Sequence, residues 1–162
     1  MMWILISLGV VLALIPIFVG LLMSPHQQVM RVELIKAPAD AVWEALSDLS
    51  QQALWRTDLA RMQMLDDDDG LRWVEQTVGG QSIVLRKLKE TPLKEFLLGM
   101  QQRGSKGTRQ ARLNAVPGGT RVTFTETLET HTPFGRIKAR LDGSPDRRLD
   151  HFIQQLKARF TA

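Results

Sequence analysis

Residues 29–43 read VMRVELIKAPADAVW, and a change of period inside them sets the architecture. Through 29–36 apolar and polar side chains alternate, with Met30, Val32 and Leu34 on one side, which predicts a β-strand. Ala37-Pro38 ends it, because proline brings no N–H to a ladder and restricts the residue before it. Asp40 then opens a helix, its carboxylate favourable at the positive end of the helix dipole. Val42, Ala45, Leu46 and Leu49 recur at i, i+3, i+4 and i+7 as a stripe to be buried. A second short helical turn follows over 51–55.

Downstream the period returns to two. Strand patterns run over 61–65, 71–78, 82–90, 94–103, 108–116 and 121–130. The breaks between them are Asp69-Gly70, Gly79-Gly80, Pro92, the 104–107 stretch and Pro117-Gly118-Gly119. Hairpin-by-hairpin spacing of this kind predicts an antiparallel meander of about six strands, seven with the first. In the last of them Val122, Phe124, Glu126 and Leu128 share one face, and threonines with Glu129 share the other. Beyond Pro133, Phe134, Ile137 and Leu141 have helical spacing until Gly143 interrupts. Ser144-Pro145 restarts a helix with a cap residue and a proline at its first position. Leu149, Phe152, Ile153, Leu156 and Phe160 make one apolar stripe on it. Sixteen residues give roughly 24 Å, enough to cross the sheet. The fold class is α+β.

Before all this lies MMWILISLGVVLALIPIFVGLLM, residues 1–23, without a charged side chain. As a helix it is about 35 Å long at ~1.5 Å per residue, against roughly 30 Å of bilayer hydrocarbon. A cleaved secretory signal needs a basic start, a shorter apolar run and a small-x-small site. None of these is present, so the expectation is an uncleaved single-pass membrane anchor. The flanking positive charges, Arg31 and Lys36, favour a cytoplasmic domain but leave the side open. The organisation expected is an anchor over 1–23, a linker over 24–28 reaching only about 17 Å, and one domain over 29–162.

The net charge of +4 hides an asymmetry: −5 up to Leu85 and +9 from Arg86 onward. Beside a bilayer, a basic surface most simply faces anionic head groups. The basic residues are dispersed over alternating strands, without an RNP-like or zinc-finger pattern, so nucleic acid is not an expected partner. There is no cysteine, Gly-rich phosphate loop or G-x-S-x-G, and the acidic run 66–69 lacks the spacing of a calcium loop. No metal, cofactor or catalytic group is assigned. His131 and His151 lack a partner at ligand or triad spacing and read as surface residues.

The order strand, two short helices, meander, terminal helix, together with Ala37-Pro38-Ala39-Asp40-Ala41-Val42-Trp43 and the downstream Trp55, resembles the START-like, helix-grip superfamily. Within it the chain is most similar to the polyketide cyclase/dehydrase and lipid-transport (SRPBCC) proteins. The resemblance implies a curved sheet gripping the last helix around a hollow for lipids, polyketides or other apolar molecules. One departure is Gly143-Ser144-Pro145, which must kink or split a helix that is usually continuous in the family.

Candidate cavity residues are Trp73 and Phe124 on central strands, Phe96 on the 94–103 strand and Phe152 on the last helix. Trp55 reads either as pocket entrance or as core packing, and Trp43 likewise. Glu126, if its face is inward, is a buried carboxylate able to bind or protonate a carbonyl; in the opposite register it is a surface charge. Arg112, Asn114 and Gln76 have no better claim. The expected function is membrane-anchored binding or transport of an apolar small molecule or lipid. A cyclase/dehydrase-type enzyme and a ligand-free module docking on the membrane surface are the alternatives.

Overall fold

The structure, a computed structural model, describes residues 1–65, 71–141 and 144–161. The acidic turn at 66–70 and the interruption at Gly143 lie outside the described residues. In chain order the elements are α1 (Met2–Leu22), β1 (His26–Ile35), α2 (Ala39–Ser47), α3 (Leu49–Trp55) and β2 (Leu59–Leu65). There follow β3 (Arg72–Thr77), β4 (Ser82–Thr91), β5 (Glu95–Gln102), β6 (Ser105–Val116), β7 (Gly119–Thr130), α4 (Pro133–Leu141) and α5 (Ser144–Arg159). The strands form one antiparallel sheet in the order β1-β7-β6-β5-β4-β3-β2. Every hairpin neighbour in sequence is a neighbour in the sheet, and β1 closes onto β7. The sheet grips α5: the seven antiparallel strands expected from the pattern and the helix-grip fold implied by the resemblance are the ones formed.

Two strands depart from the pattern in an informative way. β1 starts at His26, three residues before the alternation becomes visible, because Gln27 and Gln28 pair with Leu128 and Thr127 through backbone groups alone. Met30, Val32 and Leu34 face outward and are about half exposed, while Val29 and Ile35 are buried. The inner side of β1 also carries Arg31 and Glu33, which meet α5: Arg31 bonds Asp150 at 2.9 Å and Asp146 at 3.1 Å, and Glu33 pairs with Lys157. An edge strand beside the polar flank of a helix is thus satisfied by charge. The second departure is Gly107, which reads as part of a turn but lies inside β6. A Cβ there would stand 2.0 Å from the Thr127 carbonyl oxygen, so glycine permits the close approach of β7.

The main core lies between α2, α3, α5 and the β1-β7-β6 side. Val42, Leu46, Val122, Phe124, Leu149, Ile153 and Leu156 are all buried there. Full burial of each such side chain contributes about 1.5–3 kcal/mol. A second cluster, Trp73, Ile83, Leu85, Phe96, Leu98 and Met100, belongs to β3, β4 and β5.

α1 is long and apolar enough to cross a membrane, and it extends from the domain with its side chains exposed. Only its last turns are held. Gly20 is buried against Pro133 of α4, where a Cβ would meet the Pro133 carbonyl oxygen at 2.4 Å. Arg136 of α4 donates to the Gly20 carbonyl at 3.3 Å and to the Thr130 carbonyl at 3.1 Å. α4 itself leaves Phe134 and Leu141 exposed.

Candidate functional site

α5 packs on β1 and β7. Towards β3, β4 and β5 it does not close onto the sheet, and a cavity of about 430 Å³ remains. That volume is in the range of ordinary small-molecule sites. Its apolar wall is Ile83, Leu85, Met100 and Phe152; its polar wall is Arg56, Asp58, Glu75, Arg109 and Arg148. Thr77, Gln81, Arg147 and His151 complete the lining. A further small space of about 20 Å³ shares Arg56, Glu75, Leu85, Arg109 and Phe152 and reaches Phe96 and Phe124.

The polar wall consists of two charge clusters. At the end of α3, Arg56 places two guanidinium nitrogens on Asp58, at 2.8 and 3.1 Å, and a third on both Glu75, at 2.9 Å, and Gln52, at 3.0 Å. The Arg56 and Glu75 side chains are each only 4% exposed. Trp73 Nε1–H donates to the same Glu75 oxygen at 3.2 Å. Gln155 of α5 donates to Asp58 at 3.2 Å and accepts from the Thr57 hydroxyl at 3.0 Å. Burial pushes the Asp58 carboxyl up, but the hydrogen bond and charge of Arg56 and the Gln155 amide outweigh it, and the group is held below the usual carboxylate range. Burial likewise opposes the charge on Arg56, and its two carboxylates more than restore it.

The second cluster forms the other end of the polar wall. Glu126 is fully buried and stands directly across from Arg109 in the β6–β7 register. Arg109 reaches one Glu126 oxygen at 3.1 and 3.2 Å, and its guanidinium carbon lies 4.7 Å from the centre of the Phe152 ring. Arg148 of α5 approaches the other oxygen only to 3.7 Å. Among the described residues that oxygen, Arg148 Nε and Arg148 Nη2 are buried without a hydrogen-bond partner. Burial pulls the Arg148 guanidinium below its ordinary value; the Glu126 charge opposes this and the Arg109 charge adds to it.

Of the six candidate residues, the structure brings Phe152 to the main cavity and Phe96 and Phe124 to the small space beside it. Trp73 is buried behind the wall and orients Glu75. Trp55 packs edge-on against Phe152 with ring centres 5.4 Å apart, and Trp43 packs likewise against Phe96 at 6.0 Å. Glu126 faces inward but meets a guanidinium, behind Arg109. Arg112, Asn114 and Gln76 are exposed. Sequence reasoning missed Arg56, Asp58, Glu75, Arg109 and Arg148. For Arg109 a signal existed: from Val116 opposite Gly119 at the hairpin, seven steps back along each strand reach Arg109 opposite Glu126.

A bent antiparallel sheet gripping a terminal helix, with a hollow of ligand size between them, defines the class: a helix-grip domain built around a cavity. The chain belongs to the polyketide cyclase/dehydrase and lipid transport family, whose model matches residues 26–161. Among solved structures it is similar to the Zhui aromatase/cyclase from Streptomyces sp. R1128, with TM-score 0.70 and 15% identity over 83% of this chain and 93% of that one. It is also similar to a conserved protein from Geobacillus kaustophilus, with TM-score 0.68 and 12% identity over 83% and 95% of the two chains. The di-domain aromatase/cyclase StfQ of the steffimycin biosynthetic pathway matches with TM-score 0.66 and 11% identity over 82% of this chain and 50% of that one. At these identities the likeness is one of fold. No curated protein sequence matches the chain.

Proposed function

We propose that this protein binds an apolar small molecule or lipid in the cavity between α5 and β3–β5, and does so tethered to a membrane by α1. The observation that carries the reading is the 430 Å³ hollow whose floor is Ile83, Leu85, Met100 and Phe152. A hollow of this size, apolar along one wall, is left where α5 stands off the sheet, and an apolar guest body restores the dispersion and burial that this wall forgoes. The tether supports the reading from the other side. α1 runs to Leu22, the domain begins within a few residues, and Gly20 is clasped by α4. A domain held so close to the head groups meets bilayer-dissolved molecules at high effective concentration. Native mass spectrometry of the full chain released from detergent, with organic extraction in parallel, is expected to show one apolar molecule per chain. Absence of any such molecule, with no uptake of added fatty acid, contradicts the reading.

A second reading, a cyclase or dehydrase using the same space, is favoured by one observation: the carboxylates of Asp58 and Glu75 line the same cavity as the apolar Ile83, Leu85 and Met100. Turnover of a poly-β-keto model compound that is lost in Glu75→Gln while binding persists would support it. Binding without turnover in the unaltered protein removes it.

A further inference from the structure

The two ends of the polar wall are unlike in charge and in how fully their donors are used. Arg56 has spent its donors on Asp58, Glu75 and Gln52, and with the two carboxylates its cluster carries one net negative charge. The Arg109–Glu126–Arg148 cluster holds two guanidiniums on one carboxylate, a net positive charge. Arg109 takes one Glu126 oxygen with two nitrogens. Arg148 is left with a marginal 3.4 Å bond to Gln102 and two buried nitrogens that find no acceptor among the described residues. Burying a guanidinium with unmatched donors is costly, and native interiors seldom leave such groups unmet. Here the guanidinium also lines the cavity, three-quarters shielded from solvent. Nε and Nη2 are themselves sealed from the cavity, so what the cavity meets is the surplus positive charge of the two guanidiniums on one carboxylate, and the counter-charge it lacks belongs where a guest would lie.

We infer that the molecule bound in this cavity carries an oxyanion, a carboxylate or a phosphate, seated against Arg148 at the α5 wall, with its apolar body along Ile83, Leu85 and Met100. This rests on the binding reading above and adds to it the chemical class and the orientation of the guest. The Arg56 end repels the same group, because Asp58 and Glu75 already supply its negative charge. Arg147, one residue earlier in the lining, adds positive charge on the same side. The guest is then an anionic amphiphile of the fatty-acid or alkyl-phosphate type, and a neutral hydrocarbon or ester is the poorer fit.

Calorimetric titration of the full chain in an uncharged maltoside detergent at pH 8 tests this with laurate, dodecyl phosphate and methyl laurate. The two anions are expected to bind at least roughly tenfold more tightly than the ester, the scale of one charge-assisted hydrogen bond in a shielded site. Which anion is preferred separates a carboxylate guest from a phosphate one. In Arg148→Met the preference should fall to within about twofold while ester affinity is kept. Equal binding of all three by the unaltered protein, which needs no variant to fold, overturns the inference and leaves the apolar cavity standing. A preference that survives Arg148→Met overturns the assignment to this residue. Failure of all three to bind removes the binding reading as well.

Discussion

The two flanks of α5 face regions built on opposite principles. On the β1-β7-β6 side Leu149, Ile153 and Leu156 fill the space against Ile35, Val42 and Val122, and the ion pairs of Arg31 and Glu33 with α5 lie at its partly exposed edge. On the β3–β5 side the same helix presents Arg148, His151, Phe152 and Gln155, and the sheet opposite stands away. The first region is held by apolar burial and the second by a lattice of charges stretched across a hollow. A closed core tolerates no gap, whereas in the second region Arg56 and Glu75 at one end of the hollow and Arg109 and Glu126 at the other are positioned by ion pairs.

That contrast makes definite predictions. Arg56→Met leaves Asp58 and Glu75 without their cation in a buried setting, and is expected to cost about 3–5 kcal/mol. Urea unfolding of the full chain in uncharged detergent, followed by tryptophan fluorescence, measures it; a loss under about 1 kcal/mol would deny the charge lattice its role. Leu149→Ala, on the packed flank, is expected to cost about 2–5 kcal/mol by the same measurement and to leave affinity for a cavity ligand within a few-fold. Loss of binding there would mean that the two regions are not separable.

Acid titration sharpens the comparison. The Asp58 carboxyl is held low in the folded protein, so its contribution to stability is complete above the unfolded value of about 3.9 and is lost as pH falls through the lower folded value. Asp58→Asn should therefore flatten the fall in stability in that acid window and leave the slope near neutrality unchanged. An identical acid profile in the variant would contradict the assignment. The smallest effect on stability is expected for Gly20→Val, which forces α1 off Pro133. Amide exchange should quicken in α4 with the urea midpoint of the domain unchanged; unaltered exchange would mean that α1 is not clasped.

How much of this was legible in the chain follows from what each feature depends on. The α5 stripe and the hairpin breaks were readable because period and turn chemistry are local. β1 was readable as a strand, but not which of its faces is inward, because Arg31 and Glu33 turn inward towards charges on α5, more than a hundred residues away in sequence. Of the aromatic candidates, Phe152 lines the cavity, while Phe96 and Phe124, on inward positions of β5 and β7, line only the small space beside it. Arg56 and Asp58 escaped because they occupy the loop after α3, where no periodicity distinguishes a buried arginine from a solvated one. Arg148 reads as one more charge in a basic helix, and only the tertiary position of Glu126 singles it out.

The most direct test of a hollow that binds is to fill it. Met100→Trp projects an indole from β5 into the cavity, and the unaltered protein and the variant are compared for laurate binding and for urea stability in the same detergent. The expected result is abolished binding with stability changed by less than about 1 kcal/mol, since vacant volume accepts the larger side chain without the overpacking cost of about 1–3 kcal/mol. Binding that persists undiminished in a folded Met100→Trp protein would contradict the account.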